Sequence, residues 1–164
     1  MKRSSQLLLA GAALCLATSA VADPFRFQAR LTGAQEVPEV DSEALAMATA
    51  RFDRGFTRVA VRIHLRGDIN VVAGHFHCAR PGANGPIAFG ILVPGPLSEI
   101  TQDTRVTLTN AEFTGEDCTD ATGRPVNNIA ALALAMHDGL VYLNLHSPTA
   151  PLGQIRGQMI EMDD

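Results

Sequence analysis

The amino-acid sequence predicts an all-β fold: an antiparallel Greek-key β-sandwich carrying one short helix. Three observations predict it. About eight short segments alternate apolar and polar side chains with the two-residue period of a half-buried strand. Glycine, proline and aspartate punctuate the chain between them. One stretch alone, residues 126–138, carries its apolar residues at helical spacing. Many short strands joined by turns are the mark of a sandwich.

The chain opens on a targeting signal. Lys2 and Arg3 give a positive start, residues 7–16 are apolar, and Ala20-Val21-Ala22 is a small-x-small cleavage site. The apolar run is too short to span a bilayer. Leu14 precedes Cys15 where a lipoprotein signal takes a small residue. Residues 1–22 therefore read as a secretory signal peptide cleaved after Ala22, which discards Cys15. The destination is the periplasm or the extracellular space. What is left, residues 23–164, is 142 residues long, enough for a single domain with a sizeable core. Lys2 and Arg3 leave with the peptide, so 11 basic residues, all arginine, face 17 acidic ones, for a formal charge of −6. A net acidic domain without a run of basic residues argues against nucleic acid and anionic membrane as partners. No other stretch is apolar and long enough to cross a membrane.

Residues 25–31 form the first strand. Thr32-Gly33 starts a turn, and Pro38 suits an irregular extended segment. Residues 45–52 form the second strand and end at Asp53-Arg54-Gly55, a hairpin signal. Residues 57–65 give the clearest strand, with Val59, Val61, Ile63 and Leu65 on one face and Arg58, Arg62 and His64 on the other. Gly67-Asp68 turns the chain into a strand over 71–79. A turn over 81–86 leads to a strand over 87–93, ended by Pro94-Gly95-Pro96. Residues 105–108, extending toward 113, form another strand, and 114–125 a polar loop. Over 126–138, Asn127-Asn128 can cap a helix with Ile129, Leu132, Ala133 and Met136 on one side, stopped by Gly139. Residues 140–146 return to alternation, with Val141, Leu143 and Leu145 inward and Tyr142, Asn144 and His146 outward. After a turn over 147–153, residues 154–162 close the domain, with Ile155, Gly157 and Met159 on one face and Arg156 on the exposed one. The acidic end, residues 161–164, reads as a solvated tail.

The chemistry concentrates at Gly74-His75-Phe76-His77-Cys78. Alternation puts His75 and His77 on one face of a strand, and Phe76 and Cys78 on the other, toward the core. Two imidazoles on one face form half of a metal site. His146 lies on the outward face of its own strand. If the two strands are neighbours, three imidazoles converge. Three neutral nitrogens suit copper first and zinc second. His64 and His137 are possible further ligands, the latter at a helix C-terminus where a cation suits the dipole. Tyr142, Asn144 and Arg156 can support the site from outside the ligand set, or simply pack and meet solvent. The histidines can instead be structural, bonding to backbone or to the turn at Asn84. Cys78 and Cys118, an even pair in a secreted domain, predict a disulfide closing a loop of about 40 residues. The rival reading of Cys78 as a thiolate ligand conflicts with its facing away from the histidines.

Several stretches resemble the CHRD domain family. Phe27-Gln28-Ala29-Arg30-Leu31-Thr32-Gly33-Ala34-Gln35-Glu36-Val37-Pro38 is similar to its opening motif. Gly74 to Cys78, continued by Gly82-Ala83-Asn84-Gly85-Pro86-Ile87, resembles its central motif. The runs from Val141 to Ser147 and from Gly153 to Gln158 resemble its closing motif. Val37-Pro38-Glu39-Val40 lacks a second proline often seen there, and Gly74 replaces an alanine. The resemblance implies an extracellular or periplasmic β-sandwich and no particular reaction. The His-x-His strand before a glycine-rich turn also resembles, more weakly, the copper half of Cu,Zn superoxide dismutase.

Other chemistries find no support. There is no Gly-x-Ser-x-Gly, no phosphate-binding glycine loop and no Cys-x-x-Cys pair. Glu116-Asp117 reads as a solvated loop more readily than as a site for a hard cation. The expected function is that of a secreted or periplasmic module binding copper or zinc through His75, His77 and His146. The alternatives are a metal-free interaction module with an envelope or extracellular protein partner, and a copper redox enzyme with superoxide dismutase-like chemistry.

Overall fold

In the computed structural model, residues 25–67, 69–91 and 103–163 are described. The expected signal peptide, Asp68 of the expected turn, the strand end at 92–93 with Pro94-Gly95-Pro96, and Asp164 of the tail lie outside them. Among the described residues nine strands follow in chain order: β1 (Arg26–Thr32), β2 (Leu45–Phe52), β3 (Val59–Arg66), β4 (Ala73–Cys78), β5 (Ile87–Gly90), β6 (Thr104–Leu108), β7 (Val141–Ser147), β8 (Ala150–Gln158) and β9 (Ile160–Glu161). Two short helices, α1 (Thr119–Thr122) and α2 (Ile129–His137), separate β6 from β7.

The strands pair antiparallel in the order β5-β4-β7-β8-β1-β2-β3-β6, with β9 added to β1. Hydrogen bonding is continuous across this curled sheet. A bridge between Phe89 of β5 and Phe113 beyond β6 brings its two ends together. The inner faces of both halves contribute to one core. Phe27 and Phe52 meet edge to face at 5.8 Å, and Phe76, Phe89, Leu108, Leu143 and Ile155 are fully buried with them.

Each element has a local cause. The Asp53 carboxylate accepts from the backbone N–H of Thr57 and of Arg58, both at 2.7 Å, and closes the β2–β3 hairpin. The Asn128 side chain accepts from Ala131 N–H at 2.9 Å and starts α2. Gly139 ends it in the left-handed region, at φ 71°. Ile129, Leu132, Ala133 and Met136 are the buried side of α2, as their spacing predicts.

Several elements differ from their expected bounds. The strand after residue 104 stops at Leu108, because Thr109 and Glu112 form a reciprocal capping box that turns the chain into a 3₁₀ segment. The polar loop around Cys118 contains the single turn of α1, started by Asp117 accepting from Thr119 N–H at 2.8 Å. The closing strand begins earlier, at Ala150, after a tight turn at Pro148-Thr149, and breaks at Met159. Cys78 on β4 is joined to Cys118 by a disulfide, with both residues fully buried. Cys78 is thereby unavailable as a thiolate ligand.

The largest correction concerns β7. Every one of its residues is buried, including the expected outward set Tyr142, Asn144 and His146. Arg156 on β8, expected to be exposed, is 3 % exposed. The physical reason is that two loops fold across this face. Arg156 Nε donates to the Gln35 carbonyl, and its Nη1 donates to the Ala83 carbonyl and, at 2.8 Å, to Asn84 Oδ1. Asn84 Nδ2 in turn donates to the Val37 carbonyl at 2.8 Å. One guanidinium thus pins both loops over the polar face of β7 and β8.

Candidate metal centre

The site is built on the pairing of β4 with β7. In that register His75 opposes Asn144, His77 opposes Tyr142, and His146 opposes Ala73. His75 and His146 are therefore diagonal neighbours on the same face, within reach of long side chains. One ring nitrogen from each of His75, His77 and His146 lies within 4.8 Å of the others. Among the described residues this is the one such group of three ligating side chains.

Hydrogen bonds assign the tautomers. His77 Nδ1 lies 2.9 Å from the Gly85 carbonyl oxygen, and His146 Nδ1 lies 3.1 Å from that of Pro151. A carbonyl only accepts, so both Nδ1 atoms carry the proton and both Nε2 atoms keep a lone pair. His75 Nδ1 approaches His146 Nε2 at 2.9 Å. His77 Nε2 is buried with no hydrogen-bond partner. An imidazole held through one nitrogen by a carbonyl, with its other nitrogen free, is in the state a metal ligand requires.

Gly85 makes the first of these contacts possible. A Cβ there would sit 1.9 Å from the Cys78 carbonyl oxygen, so only glycine lets the turn approach β4 this closely.

Burial holds all three imidazoles below their ordinary value of 6.5. For His75, desolvation is the chief cause, with His146 and His77 adding to it, and the value falls to about 4. Desolvation also dominates at His77 and His146, opposed by the Gly85 and Pro151 carbonyls. All three are neutral at pH 7 and offer lone pairs rather than charge.

The surroundings are polar and closely fitted. Tyr142 stacks on His77 with ring centroids 4.8 Å apart and planes 5° from parallel. The Arg156 guanidinium carbon lies 4.6 Å from the Tyr142 centroid. Asn144 Oδ1 is buried without a partner. Glu36, which the sequence reading placed in a motif but gave no role, is 6 % exposed and has an unpartnered Oε1. Burial raises its carboxyl from 4.5 to about 7, against the pull of Arg156. Gly153, at φ 134°, leaves room for it. A Cβ there would meet Glu36 Oε1 at 2.6 Å and Asn144 Nδ2 at 2.9 Å. The glutamate of Gln35-Glu36-Val37-Pro38 was visible in the sequence, but nothing local indicated its burial.

Two expected auxiliary ligands are elsewhere. His137 Nδ1 lies 2.7 Å from Glu161 Oε2, beside Phe25. His64 sits on β3 opposite Met47. Glu116 and Asp117 are occupied with backbone, accepting from Ile87 N–H at 2.7 Å and Thr119 N–H at 2.8 Å. Tyr142, Asn144 and Arg156, by contrast, all lie around the trio.

A protein-family model described as the CHRD domain matches residues 27–159. No curated protein matches the chain in sequence. No helix among the described residues is long and apolar enough to cross a membrane.

Proposed function

The chain belongs to the CHRD domain family, and from that premise we propose that it is a secreted or periplasmic module holding a transition-metal ion through His75, His77 and His146. The observation that carries this reading is the paired anchoring of His77 to Gly85 and His146 to Pro151, which leaves unprotonated Nε2 atoms beside His75 Nδ1. An ion there would take the place of the hydrogen bond between His75 and His146, the His75 proton moving from Nδ1 to its own Nε2, and would satisfy the orphaned nitrogen of His77. Imidazole donors suit copper and zinc, and the stability order of divalent ions puts copper first. The ion would supply Lewis acidity or, for copper, one-electron chemistry. The chain's own residues fix the tautomers of His77 and His146 and bury both rings. Storage, delivery or sensing of the metal fits a site this enclosed. The leader peptide and the Cys78–Cys118 disulfide support an oxidising destination.

Metal analysis and titration of wild type against His75→Ala/His77→Ala test the reading. Copper is expected to bind wild type at one equivalent and the double variant far more weakly. Equal, negligible binding in both would leave the second reading, a metal-free interaction module. That reading has its own support in the His75–His146 hydrogen bond, which satisfies both nitrogens without an ion. Superoxide consumption by the copper-loaded protein above free-copper controls would favour the redox enzyme.

A further inference from the structure

The sheet order assembles something that no run of the sequence contains. In β1, β2, β3 and β6 alternate residues are buried, and their intervening side chains form one outer face. The register sets Arg62 beside Arg105, with Arg51 and Arg30 in the rows on either side and Arg66 one row further. No outward side chain of these four strands is a carboxylate. Asp103, at the start of β6, binds Arg62 through both oxygens at 2.7 Å and lies 3.9 Å from Arg105, one carboxylate against two guanidiniums. Among the described residues Arg30, Arg51 and Arg66 have no ion-pair partner. At the hairpin end the face sinks into a depression of about 490 Å³ lined by Arg51, Arg54 and Arg58. Its one carboxylate, Asp53, is already engaged by Thr57 and the Arg58 backbone. A domain of net negative charge thus segregates most of its arginines onto one face.

We propose that this face binds a linear anionic polysaccharide. Guanidinium groups pair bidentately with carboxylate and sulfate. Arg62 and Arg105 stand about 5 Å apart across paired strands, and Arg66 follows Arg62 four residues, about 13 Å, further along β3, so the guanidiniums are spread over a length that an extended polyanion spans with several of its charges. No outward side chain of these strands is a phenylalanine or tyrosine, so the face lacks the stacking platforms of single-strand nucleic-acid binders. Met47 and, on β9 beside Gln28, Ile160 are its exposed large apolar residues, two scattered side chains rather than the apolar wedge that seats a protein in a membrane. The proposal stands independently of the metal site.

Calorimetric titration of the purified mature chain, in EDTA, with polygalacturonate and with dextran sulfate tests it, neutral dextran serving as control. The two polymers separate carboxylate from sulfate as the anion recognised. Binding to at least one of them, absent for dextran and weakening with salt, is expected. The Arg51→Gln/Arg58→Gln/Arg66→Gln variant is expected to weaken it by roughly tenfold or more. Arg80→Gln/Arg124→Gln, which removes charge away from the face, is expected to stay within about twofold. If the triple variant loses its native circular dichroism, Arg51→Gln and Arg66→Gln singly carry the comparison. No binding of either polymer by wild type, equal binding by the variants, or tighter binding of a short DNA duplex or phosphatidylglycerol vesicles overturns the proposal.

Discussion

Tyr142 lies flat on His77, 4.8 Å between centroids and 5° from parallel, and Arg156 reaches the same tyrosine ring at 4.6 Å. Arg156 is also the residue that pins the loops at Gln35 and at Ala83-Asn84. The orientation of one proposed ligand is therefore tied, through a stack, to the cover of the whole site.

The stack predicts a difference between two substitutions. Tyr142→Phe keeps the ring and is expected to bind copper nearly as wild type does. Tyr142→Leu removes the plane that fixes His77 and is expected to weaken binding roughly tenfold or more, the scale on which supporting residues act at metal sites. Competitive titration against a chromophoric chelator measures both. Equal affinities would show that the ring does not orient His77.

Copper binding is expected to hold as pH falls below 6.5 and to weaken only as the solution nears the depressed His75 value of about 4. His77 and His146 are lowered as well, so protons begin to compete below the range of ordinary imidazoles. A site of ordinary imidazoles would begin to lose affinity near 6.5. Titrations across this interval distinguish the two.

Glu36 and the histidines oppose one another in folding stability. The folded value of Glu36 is raised from 4.5 to about 7, so its neutral form is favoured by folding and stability falls as pH rises through that interval. The histidines are lowered, so their contribution is fully present above 6.5 and is lost as pH falls toward the folded values. Glu36→Gln is expected to raise the melting temperature at pH 8 relative to wild type and to change it little at pH 4.5, read by thermal denaturation in EDTA. A shift of equal size at both pH values would contradict the burial cost assigned to the carboxylate.

The disulfide closes a loop with a sequence separation of 40. Chain entropy alone predicts that Cys78→Ser/Cys118→Ser lowers stability by roughly 4 kcal/mol. Urea unfolding of the variant against the oxidised wild type measures this. Because Cys78 lies on the core side of β4, the variant is expected to retain the three-histidine cluster and its copper affinity where it remains folded.

Much of the fold was legible because strand alternation and caps are local. Leu45–Phe52 appears in the structure with its predicted bounds, and α2 presents the predicted apolar residues to the core. The disulfide followed from cysteine number and compartment. The burial of Tyr142, Asn144, His146 and Arg156 was not legible, since a polar face reads as solvated unless something covers it. The cover comes from residues 35–37 and 83–84, distant in the chain from Arg156. The arginine face escaped for the same reason: no two of its arginines are adjacent in sequence, so composition registered only a net acidic chain.

The sequence by itself determined that His75 and His77 share a face and that Cys78 turns away from them, because side-chain direction in a strand depends only on parity. It placed His146 on a polar face of a strand by the same rule. Tertiary structure alone decided that β4 and β7 are neighbours, in a register that brings His146 to His75 across 71 residues of chain. It also decided that Gly85 and Pro151 fix the tautomers. Neighbour choice and register depend on how the whole sheet buries its apolar face, which is a property of all nine strands together and of none singly.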